Sequence, residues 1–121
     1  MRTIVSRNET TAMIHDTISK IEDRLAQSAV KDESKAELVE LLGTLKAEVA
    51  ELSKTNTEAA QSIAGFTQVS AHEATREEPN PALLEHSLSG LSASVEGFEK
   101  SHPRLVDIVN RLCTTLSNLG I

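Results

Sequence analysis

An all-α protein is expected of this chain on three grounds. Its apolar residues return at spacings of three and four through several separate stretches. Phe66 and Phe98 are its only aromatic residues, so the interior falls to Leu, Ile, Val and Ala, which suit seams between helices. Most telling, the stretch from Ser34 to about Arg76 carries a seven-residue apolar repeat with no proline in it. The architecture that follows is a helical hairpin with one long central helix plus a C-terminal helix pair, coiled-coil or bundle-like and oligomeric. With 121 residues it fits one domain that can bury a modest core without disulfides or metal.

Residues 1–7 form a short tail with two basic side chains. Asn8 or Thr10 is placed to cap the first helix, along which Ile14, Ile18, Ile21 and Leu25 recur at spacings of four, three and four. Asp16, Lys20, Asp23 and Arg24 occupy the opposite face, so this helix is amphipathic. Val30-Lys-Asp-Glu breaks the pattern, and Ser34-Lys-Ala-Glu37 has the form of a capping box, in which hydroxyl and carboxylate satisfy the free amides of a helix start. The first two helices should fold back as an antiparallel pair, giving a hairpin over 8–78.

In the long segment, Leu38, Leu45, Leu52, Ala59 and Phe66 form one row and Leu42, Val49, Asn56 and Ile63 a second, four residues on. One helix of roughly 42 residues would reach about 60 Å. Gly43 and Gly65 each cost such a helix about 1 kcal/mol relative to Ala. Ser53-Lys-Thr-Asn-Thr57 is its weak point, because these residues favour caps, and Thr55-Asn-Thr-Glu58 is itself a capping-box pattern. The apolar phase nevertheless runs through without a slip, which favours one continuous helix.

Arg76-Glu-Glu-Pro79 ends that helix, and Asn80-Pro81 starts the next, with asparagine at the cap and proline where its missing amide costs nothing. Leu84, Leu88, Leu91, Val95 and Phe98 then repeat at four, three, four and three. Most of the residues between them, Ser87, Ser89, Gly90, Ser92, Ala93, Ser94 and Gly97, are small and would let this helix be sandwiched between neighbours. His102-Pro103 opens the last helix, whose seam is Leu105, Val109, Leu112, Leu116 and Leu119. Gly120 and Ile121 close it as a Schellman-type stop. This C-terminal pair, 79–121, packs on the hairpin within a single domain.

Length sets the assembly argument. Helices of about 30 and 27 Å laid along a rod of about 60 Å leave its N-terminal half with two helices, too few to bury both apolar faces. A second copy would complete it, a dimer being the simplest case, with Leu38, Leu42, Leu45, Val49, Leu52 and Asn56 at the interface. A buried Asn56 would fix register by pairing with its symmetry mate; the alternative is a polar residue at a kink or at a solvated edge. Within the chain, packing falls to Phe66, Leu88, Leu91, Phe98, Leu105, Leu112 and Leu116.

Composition narrows the chemistry. The net charge is −6, and Asp32 to Glu78 holds ten acidic residues against Lys35, Lys46, Lys54 and Arg76. Such a surface repels phosphate backbones, and two phenylalanines make no stacking platform, so nucleic acid is not an expected partner. The chain has neither the basic, aromatic-anchored face of a membrane-surface helix nor the roughly 18 apolar residues of a span. No secretory h-region precedes the first helix, and the single Cys113 fits a reducing compartment, so a cytoplasmic protein is expected. Cys113 reads as a small apolar residue beside the last seam. Glu99-Lys-Ser-His102 has the E-x-x-H spacing of helical di-iron sites but straddles a proline junction without a second copy. No nucleophile motif, phosphate loop or zinc spacing occurs, and no catalytic residue, metal ligand or cofactor is assigned.

The ending, from Phe98-Glu-Lys-Ser-His-Pro-Arg-Leu105 through Leu116-Ser-Asn-Leu-Gly-Ile121, resembles the terminal block of a family of short bacterial helical proteins that carries only a domain-of-unknown-function label. The likeness covers about the last quarter of the chain, through its His-Pro-Arg-Leu and Leu-Gly-Ile elements. It implies a bacterial helical protein and brings no catalytic residues with it.

The expected function is therefore that of a non-enzymatic self-assembling scaffold or accessory protein acting through leucine-rich helix contacts. An adaptor that takes one helix of a partner protein is the alternative. A helical metal-binding enzyme is a third reading.

Overall fold

The computed structural model describes residues 7–28 and 30–119, with side chains from Ala12 onward, and among these residues the regular elements are all helices. They are α1 (Arg7–Gln27), α2 (Asp32–Ser53), α3 (Thr57–Ala74), α4 (Pro81–Ser94) and α5 (Pro103–Leu119). The expected long helix is two helices. At the end of α2, Ser53 Oγ donates to Ala50 O at 2.7 Å and Thr55 Oγ1 to Leu52 O at 3.3 Å, while Asn56 Oδ1 accepts from Ala59 N at 3.0 Å and caps α3. Short polar side chains that compete for backbone groups do this to a helix. The restart expected as the alternative occurs, but its cap is Asn56 rather than Thr55 of the capping-box pattern, and the reading of continuity fails.

Only part of the two rows continues across the break: Ile63 of the second row stays buried, and the first row is lost. In α2 the inward residues are Leu38, Leu41, Leu42, Leu45, Val49 and Leu52; in α3 they are Ala60, Ile63, Ala64, Thr67, Ser70, Ala71 and Ala74. Ala59 and Phe66, which extend the first row on paper, are half-buried and exposed. The first row has slipped by one residue, to Ala60, Thr67 and Ala74, as a restarted helix is free to do.

Cross-helix contacts set the directions. Arg24 Nε donates to Thr75 Oγ1 at 3.4 Å, Glu22 pairs with Lys46, Thr115 Oγ1 donates to Glu37 Oε1 at 3.2 Å, and Arg104 Nε lies 3.5 Å from Glu48 Oε1. Ser28, Ser34, Thr75 and Asn118 share one cleft, so the ends of α1, α3 and α5 meet the start of α2. The chain thus runs up, down, up, down, up. The antiparallel α1–α2 pair is present as expected, and α2 and α3 form a second such pair in place of the rod.

The helices make two layers, with α1, α3 and α4 side by side over α2 and α5. In the upper layer α3 packs between α1 and α4; α1 and α4 share no contact among the described residues. Only α3 touches every other helix, and its inward face, mostly Ala, Ser and Thr, permits that approach. The sandwiched, small-residue helix is therefore α3 and not α4, which has neighbours only in α3 and α5. One hydrophobic core joins Ile14, Ile18, Ile21 and Leu25 of α1 to the seams of α2, α4 and α5.

Other expectations shift at the helix ends. Asn8 and Thr10 fall inside α1, which already includes Arg7. Lys31 precedes α2 without a side-chain cap, and Asp32 and Glu33 complement the amides of the first turn instead of Ser34. Glu37 is engaged by Thr115. Asn80 caps α4 as expected, its Oδ1 accepting from Leu83 N at 3.1 Å with Pro81 following. That helix stops at Ser94, and a turn with Gly97 at φ +93° carries Val95 and Phe98 onto the core. The Gly120–Ile121 stop and residues 1–6 lie outside the described residues.

Candidate interaction surface

The residues expected at an interface are in the core. Leu38, Leu45 and Val49 are 0% exposed and Leu42 and Leu52 1% exposed within a single chain. They are covered by α1, α3 and α5, so no second copy is required to keep them dry. Halving the rod into α2 and α3 supplies an extra helix of cover. Asn56 is exposed at the cap of α3, with its side chain committed to Ala59 N, and so is not a buried register residue.

What the chain leaves outside lies elsewhere. Among the described residues the exposed large apolar side chains are Met13, Val39, Phe66, Val69 and Leu83, and all but Val39 belong to the α1–α3–α4 layer. Helical spacing places them on one side. Met13 is seven and eleven residues from Lys20 and Arg24, which line the α1–α3 cleft; Leu83 is seven residues from Gly90, which faces α3. Val69, 48% exposed, points straight out of α3, opposite the inward row of Ala60, Ala64, Thr67 and Ala71. Phe66 leans toward α4, where its ring lies over the backbone of Gly90: a methyl built there would stand 2.6 Å from Phe66 Cδ1. The α1–α3 cleft has a volume of about 450 Å³ and is lined by Ile21, Val69 and Ala71 with Lys20, Arg24 and His72 at its rim.

This side is also uncharged along its centre. From Ala59 to Ala71 the chain has no Asp, Glu, Lys or Arg, in a protein of net charge −6. That run is legible in the sequence, and it was masked by reading the same residues as the covered half of a rod.

The other candidates for chemistry are dispersed. Glu99 Oε2 accepts from Gly97 N at 2.9 Å, and His102 Nδ1 lies 3.0 Å from Ser101 Oγ with its ring edge-on to Phe98, so the E-x-x-H pair holds the α4–α5 turn separately rather than converging. Glu73 is mostly buried and bonded by Arg76 Nη1 at 2.8 Å. Cys113 is half-buried beside Leu88 O at 3.8 Å, and burial pushes its thiol pKa up, which lowers its nucleophilicity at neutral pH. It borders a second cleft, of about 430 Å³, between α4 and α5. Among the described residues no three His, Cys, Asp or Glu side chains are placed to share a metal ion, and no helix is long and apolar enough to cross a membrane.

Residues 38–121 match the model of a family described as "Domain of unknown function (DUF4404)". The chain belongs to the DUF4404 family. The DUF4404 match begins six residues into α2 and runs through α5, so it takes in most of α2 with α3, α4 and α5 and leaves α1 outside. Comparison with curated proteins and with solved structures found no match. In this DUF4404 chain α1 covers the α2–α3 pair and forms one border of the exposed strip of α3.

Proposed function

We propose that this DUF4404 protein is a non-enzymatic, self-associating scaffold or accessory subunit of the bacterial cytoplasm, and that it associates through the outer side of the α1–α3–α4 layer, not through α2. The observation that carries this reading is the placement of Met13, Phe66, Val69 and Leu83 on one layer, across the uncharged run of α3. A sequence that buries most of its leucines to within 1% gains solubility by placing polar residues at such positions; apolar ones serve contact. The second reading, an adaptor that takes a helix from another protein, is favoured by the α1–α3 cleft, whose apolar floor and basic rim suit an amphipathic helix with acidic flanks. Light-scattering mass across a concentration series, with co-purification from the host, separates the two. A mass that rises with concentration supports self-association. A monomer isolated with one stoichiometric partner supports the adaptor, and a monomer with neither removes both.

A further inference from the structure

Beyond the outer-face contact, we infer that α1 is exchangeable between copies: the turn between α1 and α2 opens into one continuous helix, and α1 of each chain then seats in the α2–α3 groove of the other. Three observations carry it.

The first is the turn. The chain has neither glycine nor proline before Gly43, so no residue on the way from α1 into α2 forbids a helix from running through. Lys31 precedes α2 at φ −59° and ψ 144° without a side-chain cap, and lysine has no acceptor with which to make one. The side-chain bonds at this turn, Ser28 Oγ to Leu25 O at 2.7 Å and Lys35 Nζ to Ala26 O at 3.2 Å, satisfy the end of α1 and leave the start of α2 alone. The other junctions are fixed by local signals. Asn56 caps α3, Asn80 and Pro81 open α4, and Gly97 at φ +93° and Pro103 lead into α5. The α1–α2 turn is held closed chiefly by the packing of α1.

The second is where α1 lies. Among the described residues it packs only against α2 and α3, while α2, α3, α4 and α5 remain joined to one another without it. The family match, residues 38–121, falls within that remainder. Ile14, Ile18, Ile21 and Leu25 are at most 4% exposed, so α1 leaves its groove only for another that buries them again. The same groove on a second copy does so, and it restores the Glu22–Lys46 pair and the bond from Arg24 to Thr75 across the two chains.

The third is register. Ile14, Ile21, Leu42 and Val49 stand whole heptads apart. In a fused helix the α1 and α2 seams therefore share one side, to within the about 60° that a straight helix drifts over three heptads. Two such helices laid antiparallel about a two-fold axis at the turn bring α1 of each onto α2 of the other. Core residues keep the neighbours they have in the single chain. The outer face of the α1–α3–α4 layer is rebuilt unchanged, so the contact made there persists beside the exchange.

The test separates monomer and dimer fractions of the full chain by gel filtration and asks on which chain α1 lies. In a Cys113→Ser background carrying Glu22→Cys and Lys46→Cys, a short bis-maleimide should link the dimer fraction between chains and the monomer fraction within them. Lys31→Pro suits the φ of −59° and removes an amide that the fused helix needs, so it should raise the thermal midpoint of the monomer and weaken the dimer roughly tenfold or more. Should the proline chain not fold, Lys31→Asn, which supplies the cap, should move the balance the same way by roughly fivefold. A dimer held only by its outer face has no reason to respond, because Lys31 sits with Ser28, Ser34, Thr75 and Asn118 at one end of the bundle. A dimer that links within its chains and is indifferent to both Lys31 variants overturns the exchange and leaves outer-face association standing. A wild-type chain that stays monomeric at every concentration overturns both.

Discussion

At the scale of single residues, the structure assigns physical reasons to positions that composition leaves mute. Gly90 is needed for space: Phe66 occupies the volume a side chain would take. Gly90→Ala should therefore destabilise the chain even though alanine is the better helix former by about 1 kcal/mol, whereas in a Phe66→Ala background the same change should stabilise it by up to that amount. A urea-unfolding double-mutant cycle reads the change of sign, and simple additivity would show that the ring and Gly90 do not interact. Ser70 is the opposite case. Its hydroxyl is fully buried and has no hydrogen-bond partner, so its desolvation is uncompensated. Ser70→Ala is expected to raise stability by about 1 kcal/mol in equilibrium unfolding, on the same reasoning. Neither residue could be singled out beforehand, because a glycine and a serine inside an apolar period look like routine dilution of a helix until their neighbours are known.

At the scale of elements, the decisive event is the break at Asn56. An isolated stretch of sequence presents two tendencies there, the continuing heptad and the polar cap residues, and the local hydrogen bonds of Ser53, Thr55 and Asn56 prevail over the heptad. The heptad carried less weight than its length implied, since of its residues at and beyond the break only Ile63 is buried, while Asn56 and Phe66 are exposed and Ala59 is half-buried. Asn56→Ala should cost about 1 kcal/mol through loss of the cap, read from chemical denaturation. The same change should not convert α2 and α3 into one rod, because the two pack antiparallel to each other, both against α1, and share a core; an increase in helical ellipticity on substitution would contradict this. Elements with explicit stop and start signals, such as Asn80-Pro81, were legible because cap chemistry is local and depends on nothing across the molecule.

At the scale of the whole molecule, five helices of 14 to 22 residues enclose one core, and the leucines of α2 serve the monomer. Leu45→Ala, at a fully buried position, is accordingly expected to destabilise the chain by about 2–5 kcal/mol, and to do so independently of protein concentration. A loss of stability that vanished at high concentration would mean instead that Leu45 lies between subunits. The sequence by itself determined that the protein is helical, where α1, α4 and α5 lie, that α1 and α2 fold back on one another, and which leucines and isoleucines face inward. Those features follow from the spacing of apolar residues and from caps, which act over a few residues of chain. The tertiary structure alone decided that α3 is a separate, central helix, that the expected interface residues are core, and that Phe66 and Val69 are left on the outer layer. Such outcomes depend on which faces meet across the molecule, and a helix presents the same period to its own core as to a neighbour's.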